Sequence, residues 1–235
     1  MKNKIFPIFL WFLFLIKAYT QTGEVTYNVE SIKQNNLDNP LVMGVGNELQ
    51  QKTFTLKYNK GESIFKKNKN IPINKRYSRL ADVLIGGNYT WYQNSFTKEA
   101  LVTQDIGGKI YTVSFPNMVG WELNEDTKVI EGYTCYKAIR KQLNKRTSVG
   151  KDKRYIVYIA WYTPEIPASF GPAGNGGLPG LILQLDKVNV ARYTATKIKL
   201  NPKKNIKIPK LKEATKITPE RMVVLMRKAR KVTVD

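Results

Sequence analysis

From Gly23 to Leu200 the chain is written in short runs where apolar and polar residues alternate, and that period of two constrains the fold more than anything else. Glu24–Glu30 sets Val25, Tyr27 and Val29 on one side, and Thr53–Tyr58 does the same with Phe54, Leu56 and Tyr58. The turn Asn59-Lys60-Gly61 then leads into Ser63–Phe65, a predicted hairpin. Asn88–Asn94, Glu99–Thr103, Lys109–Phe115, Gly132–Ile139, Tyr155–Tyr162, Leu181–Leu185 and Ala191–Leu200 read as further strands. Lys66–Lys75 reads as a polar loop and Asn124–Asp126 as a turn. About nine or ten short strands separated by turn residues, with little helical periodicity, predict a mainly β fold. The expected architecture is a single antiparallel sheet, strongly curved into a half-barrel.

Only the C-terminal end has helical spacing. Thr218 suits an N-cap and Pro219 the first helical position, and Met222, Leu225, Met226 and Ala229 recur on one face. Arg221, Arg227, Lys228, Arg230 and Lys231 flank that stripe. The predicted organisation is a leader over 1–20, a β domain over 21–200, and a basic linker with an amphipathic helix over 201–235. The helix either docks on the sheet or meets an anionic membrane surface through its basic face.

The leader is predicted from Lys2 and Lys4, the apolar run Ile5–Ile16 and the small residues Ala18 and Thr20 before Gln21. This is the layout of a secretory signal peptide, with a core too short to span a bilayer. It makes the expected location periplasmic or extracellular, in contact with the outer membrane. The net charge is +21, with Lys2, Lys4 and Lys17 in the leader. Such a field favours anionic partners, and export argues against nucleic acid among them.

The residue inventory narrows the chemistry. Histidine is absent and Cys135 is the one cysteine, so a Ser-His-Asp triad, a thiolate metal cluster and a disulfide framework are excluded. No phosphate-binding glycine loop runs into a Lys-Ser/Thr pair, and no EF-hand spacing occurs. No metal, cofactor or catalytic residue is assigned. Paired carboxylates drawn from Glu122, Glu125, Asp126, Glu131 and Glu165 are the residual route to hydrolysis, and no spacing brings two of them together.

The segment Ala160–Leu183 carries the most specific information. Pro164 and Pro167 keep Glu165 and Ile166 extended, Gly171-Pro172 and Gly174–Gly177 form a permissive loop, and Leu178-Pro179-Gly180-Leu181 fits a type II turn. This predicts a long crossover between two central strands, pinned by Trp161 and Phe170. Gly177–Ile182 spells the hexapeptide of the GLPGLI family of exported Bacteroidetes proteins, which the chain resembles. Trp121, Gly132-Tyr133, Cys135, Lys137-Ala138, Ala160-Trp161-Tyr162, Glu165-Ile166-Pro167 and Gly171-Pro172 follow the same pattern in order. The resemblance implies an exported domain of unknown function and supplies no catalytic residues. A weaker resemblance to the lipoprotein-carrier half-barrel would make the Pro/Gly segment a lid over an apolar concave face.

Three functions remain open: a non-catalytic protein docking on an envelope partner, a carrier or sensor of a hydrophobic ligand, and a carboxylate hydrolase. The candidate ligand- or partner-binding residues are Trp161, Tyr162, Glu165, Ile166, Pro167, Phe170, Gly171, Pro172, Leu178, Pro179 and Gly180. Exposure of Trp161, Tyr162, Ile166 and Phe170 is what docking requires. A cavity of several hundred cubic ångströms is what a carrier requires. The alternative for the hexapeptide is a turn that only holds two strands together.

Overall fold

The strand pattern closes into one open sheet in a computed structural model that describes residues 22–32, 39–144, 154–203, 205–211 and 213–232. The leader lies outside the described residues, as do the side chains of Arg230 and Lys231. The strands are β1 (Gly23–Ser31), β2 (Thr53–Asn59), β3 (Glu62–Lys67), β4 (Trp91–Asn94), β5 (Glu99–Ile106) and β6 (Lys109–Phe115). They continue as β7 (Glu122–Ile130), β8 (Tyr133–Leu143), β9 (Tyr155–Thr163), β10 (Leu181–Lys187), β11 (Ala191–Leu200) and β12 (Thr215–Ile217). Their spatial order is β12-β6-β5-β4-β3-β2-β1-β11-β10-β9-β8-β7. Every neighbouring pair is antiparallel except β12 with β6, where Lys216 runs parallel beside Thr112.

Alternation sends one side of these strands into a common core. Val25, Tyr27 and Val29 are buried as the pattern predicts, and Phe54, Leu56, Phe65, Leu185 and Tyr193 join them. Phe54 stacks on Phe65 with ring centroids 5.0 Å apart, and Tyr193 meets both rings edge-on. Buried phenols find acceptors: Tyr27 donates to the Ile182 carbonyl at 2.7 Å and Tyr193 to the Ile85 carbonyl at 3.0 Å.

The fold is mainly β as predicted, but besides the parallel strand β12, in the predicted linker, three elements differ from expectation. Asn124–Asp126 lies within β7, where the pairing with β8 slips between Leu123 and Thr127; a bulge, not a turn, absorbs its polar residues. The other two are helices, α1 (Pro40–Gln50) and α2 (Lys75–Ile85). Asn39 caps α1 with Pro40 behind it, and Asn74 caps α2 through the amides of Arg76 and Tyr77.

Both helices are obscured in sequence for physical reasons. In α1, Gly44 and Gly46 lower helix propensity, yet Gly44 is needed because a Cβ there would lie 2.3 Å from the Tyr77 ring. In α2 the buried stripe is Ser78, Ala81, Asp82 and Ile85, half of it polar, while Leu80, Val83 and Leu84 point outward. The buried polar groups are paired: Asp82 takes Lys52 at 3.1 Å and Lys67 at 2.5 Å, and Lys52 also donates to Ser78 at 2.8 Å. Glu48 of α1 accepts from the Asn74 amide, joining the two helices.

After Leu200 the chain returns to the sheet. Ile206 is buried and its carbonyl accepts from Asn59 at 2.7 Å. Strand β12 then leads into α3 (Pro219–Val232). Met222 of α3 packs with Ile106 and Val113 in a small second core, joined by Ile217, Leu225, Met226 and Ala229. The predicted apolar stripe is thus spent on β5 and β6.

Candidate functional site

Inside the curl of the sheet lies a cavity of about 780 Å³. Trp91 of β4 and Gln142 of β8 both line it although seven strand steps separate them, so the sheet must curl around the space. Its floor is Ile156 and Tyr158 of β9, Leu185 and Lys187 of β10, and Ala191 and Tyr193 of β11. One wall is the end of α2, Val83–Gly86, with Tyr89 behind it. The opposite wall is α3, through Pro219, Glu220, Met222, Val223 and Arg227. Phe115–Asn117 and Ala173 with Asn175 close the inner end.

The lining mixes aliphatic and aromatic side chains with polar ones, among them Asn117, Gln142, Lys187, Glu220 and Arg227, a mixture that small-molecule sites share. Gly86 shapes the mouth: its φ of 67° ends α2 in a left-handed cap that a side chain would strain. Lys187 crosses the rim to donate to the Leu84 carbonyl at 3.0 Å.

Arg140 does not line the cavity but stands behind its inner end, 3 % exposed, bonded to lining residues. It shares a side of β8 with Gln142 and lies opposite Tyr158. It donates to the Pro116 carbonyl at 2.9 Å and to Asn175 Oδ1 at 2.6 Å, and its Nε has no partner. The guanidinium centre is 5.0 Å from the Trp121 ring and 4.7 Å from the Tyr158 ring. Burial pulls its pKa down to about 10, so it remains a cation at neutral pH. Among the described residues no carboxylate pairs with it, and neutral acceptors and two ring faces carry the charge instead.

The Pro/Gly segment fills the other end of the concave face. Ile166, Phe170 and Leu178 are buried in the main core, Phe170 with its ring 6.0 Å from that of Tyr58. Gly171, Pro172 and Gly180 are also buried, whereas Glu165, Pro167 and Pro179 form an exposed outer row. Glycine is required by contact here. A Cβ on Gly177 would lie 1.9 Å from the Met118 carbonyl oxygen, and one on Gly180 would lie 2.1 Å from that of Thr163. Gln93 of β4 donates to the Asn175 carbonyl at 2.9 Å, and Trp121 donates to the Gly176 carbonyl at 2.9 Å.

The turn at Leu178–Leu181 is tighter than the predicted type II. The Gly180 amide donates to the Leu178 carbonyl at 2.8 Å, a three-residue turn around Pro179, and the Leu181 amide goes to Ile166 at 3.0 Å. Proline fixes the middle φ either way, so the two turns look alike in sequence.

The structure therefore divides the predicted residues. Tyr162, Ile166 and Phe170 lack the exposure that docking through this loop requires. Trp161 is half-buried on the opposite side of β9 from Tyr158, beneath Lys128 at 4.3 Å and Lys137 at 6.0 Å. Glu165 accepts from the Thr134 amide at 2.9 Å and so ties the crossover to β8. None of the eleven lines the cavity, which the Pro/Gly segment reaches through Ala173 and Asn175. Tyr158, Leu185 and Tyr193 were recognisable as one parity of predicted strands, but α2 and α3 supply walls that strand parity does not reveal. No three His, Cys, Asp or Glu residues group to hold a metal among the described residues.

Fold and site together define an open β-sheet domain, plugged at one end and hollow at the other. Residues 140–184, from Arg140 through the whole Pro/Gly segment, match the model of a family described as a protein of unknown function (Porph_ging). Two solved structures of PNGF-II, in space groups P21 and C2, share the fold, with TM-scores of 0.53 and 0.52 and identities of 17 % and 18 %. Each superposition covers 89 % of this chain, which spans about a third of the PNGF-II chain (34 % and 33 %). No curated protein matches the chain.

Proposed function

We propose that this chain is an exported, non-catalytic binding protein of the GLPGLI type that holds a hydrophobic ligand, such as an acyl chain, between α2 and α3. The cleft of about 780 Å³ carries the reading, since its volume lies in the range of small-molecule sites. The aliphatic and aromatic side chains of the floor, Ile156, Tyr158, Leu185, Ala191 and Tyr193, suit an acyl chain. The family assignment rests on the hexapeptide Gly177–Ile182 and its ordered companions, and export on the leader. Cleavage would leave a mature protein beginning at Gln21, which intact mass of the protein from a periplasmic extract would read.

Titration with a fluorescent fatty acid tests the site. Val223→Trp and Leu84→Trp fill the cavity from its two helical walls, at positions exposed enough to spare the core. The reading expects saturable binding that each variant weakens by at least about tenfold. Absence of saturable binding, or binding equally tight in both variants, removes the cavity as the site.

A further inference from the structure

The helix α2 and the loop before it present an unusual outer face. Ile71 is 91 % exposed, Ile73 71 % and Val83 74 %, with Leu80 and Leu84 beside them. Leu80, Val83 and Leu84 form one stripe at helical spacing, turned away from the sheet. Exposed Lys69, Lys75, Arg76 and Arg79 flank it along the chain, Arg76 and Arg79 each one turn before a stripe residue. The single acid of residues 66–85, Asp82, is turned inward onto Lys52 and Lys67. The surface thus combines exposed apolar side chains with flanking positive charge.

We infer that this face docks on an anionic lipid surface, with Ile71, Ile73, Leu80, Val83 and Leu84 entering the head-group boundary and Lys69, Lys75, Arg76 and Arg79 meeting lipid phosphates. An isolated apolar residue on a surface is ordinary; five on one helix and its entry loop, flanked by a single sign of charge, are the pattern of an interfacial helix. Each basic residue near an anionic bilayer contributes on the order of 1 kcal/mol, and salt screens it. The alternative membrane contact, the basic tail, has its apolar stripe occupied: Met222, Leu225, Met226 and Ala229 pack against β5 and β6. Of that helix Val224, 41 % exposed, stays uncovered, whereas α2 and its entry loop expose five apolar side chains. Because Val83 and Leu84 also line the cavity, docking would set the cavity mouth against the lipid.

Sedimentation with phosphatidylglycerol-containing vesicles, compared with pure phosphatidylcholine vesicles, tests the inference without reference to cavity binding. Binding to the anionic vesicles is expected, and it weakens as salt is raised. Ile71→Ser/Val83→Ser retains every charge and is expected to lower vesicle binding at least about tenfold with an unchanged melting temperature. Lys207→Glu/Lys210→Glu/Lys228→Glu, on the exposed tail, is expected to lower it less than the serine pair does. Failure of the parent protein to bind, as when this face serves a protein partner or a second copy, overturns the inference. So does a tail variant that abolishes binding while the serine pair binds like the parent.

Discussion

The two ends of the concave face are built from the same strands and have opposite packing. At the filled end, Ile166, Phe170 and Leu178 descend into the core and glycines let backbone touch backbone. At the hollow end, the walls are the ends of two helices, and about 780 Å³ stays open between them. The difference teaches where rigidity is stored. A crossover clamped to β4, β8 and β10 has no freedom to act as a lid, whereas α3 is held through a small core around Ile106, Val113 and Met222. Movement that admits a ligand belongs to the hollow end.

Glycine substitutions separate the ends most sharply. Gly180→Ala drives a Cβ against the Thr163 carbonyl, which cannot rotate away, and should cost about 3 kcal/mol or more or prevent folding. Gly86→Ala at the cavity mouth meets only the Tyr89 ring at 3.3 Å and should cost about 1–2 kcal/mol, the left-handed penalty alone. Urea denaturation of both variants reads the contrast, and equal costs would dissolve it. Truncation comes next. Phe170→Ala should lose about 3–5 kcal/mol, while Leu84→Ala, half-exposed on the cavity wall, should stay within about 1 kcal/mol of the parent.

Alkali should weaken the core beneath the filled end. Burial raises the Tyr27 and Tyr58 phenols and pushes the Cys135 thiol from its ordinary 9.0 up to about 11. A folded pKa above the unfolded one means that the unfolded chain ionises first. The stabilisation is complete below about pH 9 and is lost as pH rises through the folded values. The urea midpoint should therefore fall between about pH 9 and 11, and less steeply in Cys135→Ala; a flat profile would contradict these assignments. The smallest expected stability effect is that of Val223→Trp, within about 0.5 kcal/mol, since it fills open space at a half-buried position.

The same contrast explains what could be read in advance. The filled end was legible because its constraints are local: prolines fix φ, glycines tolerate contact, and alternation names the strands that receive Leu181 and Ile182. The turn around Pro179 was placed correctly and typed wrongly, since its hydrogen bond depends on Ile166 taking the Leu181 amide. The hollow end was illegible because its walls break local rules. The buried face of α2 is half polar, satisfied by Lys52 and Lys67 from outside the helix. Gly44 looks like a helix breaker until Tyr77 lies against it. Strand β12 escaped because three residues beside an edge strand carry no periodicity. Arg140 lies just past the predicted strand Gly132–Ile139, and its burial depends on Pro116, Trp121 and Asn175 from distant segments.

Native mass spectrometry of the mature protein, gently purified from its own envelope, tests the central claim most directly. The account predicts a population carrying a small extra mass that extracts into organic solvent and is missing from Val223→Trp. A chain that is bare in the parent, and stays bare after incubation with fatty acid, would contradict it.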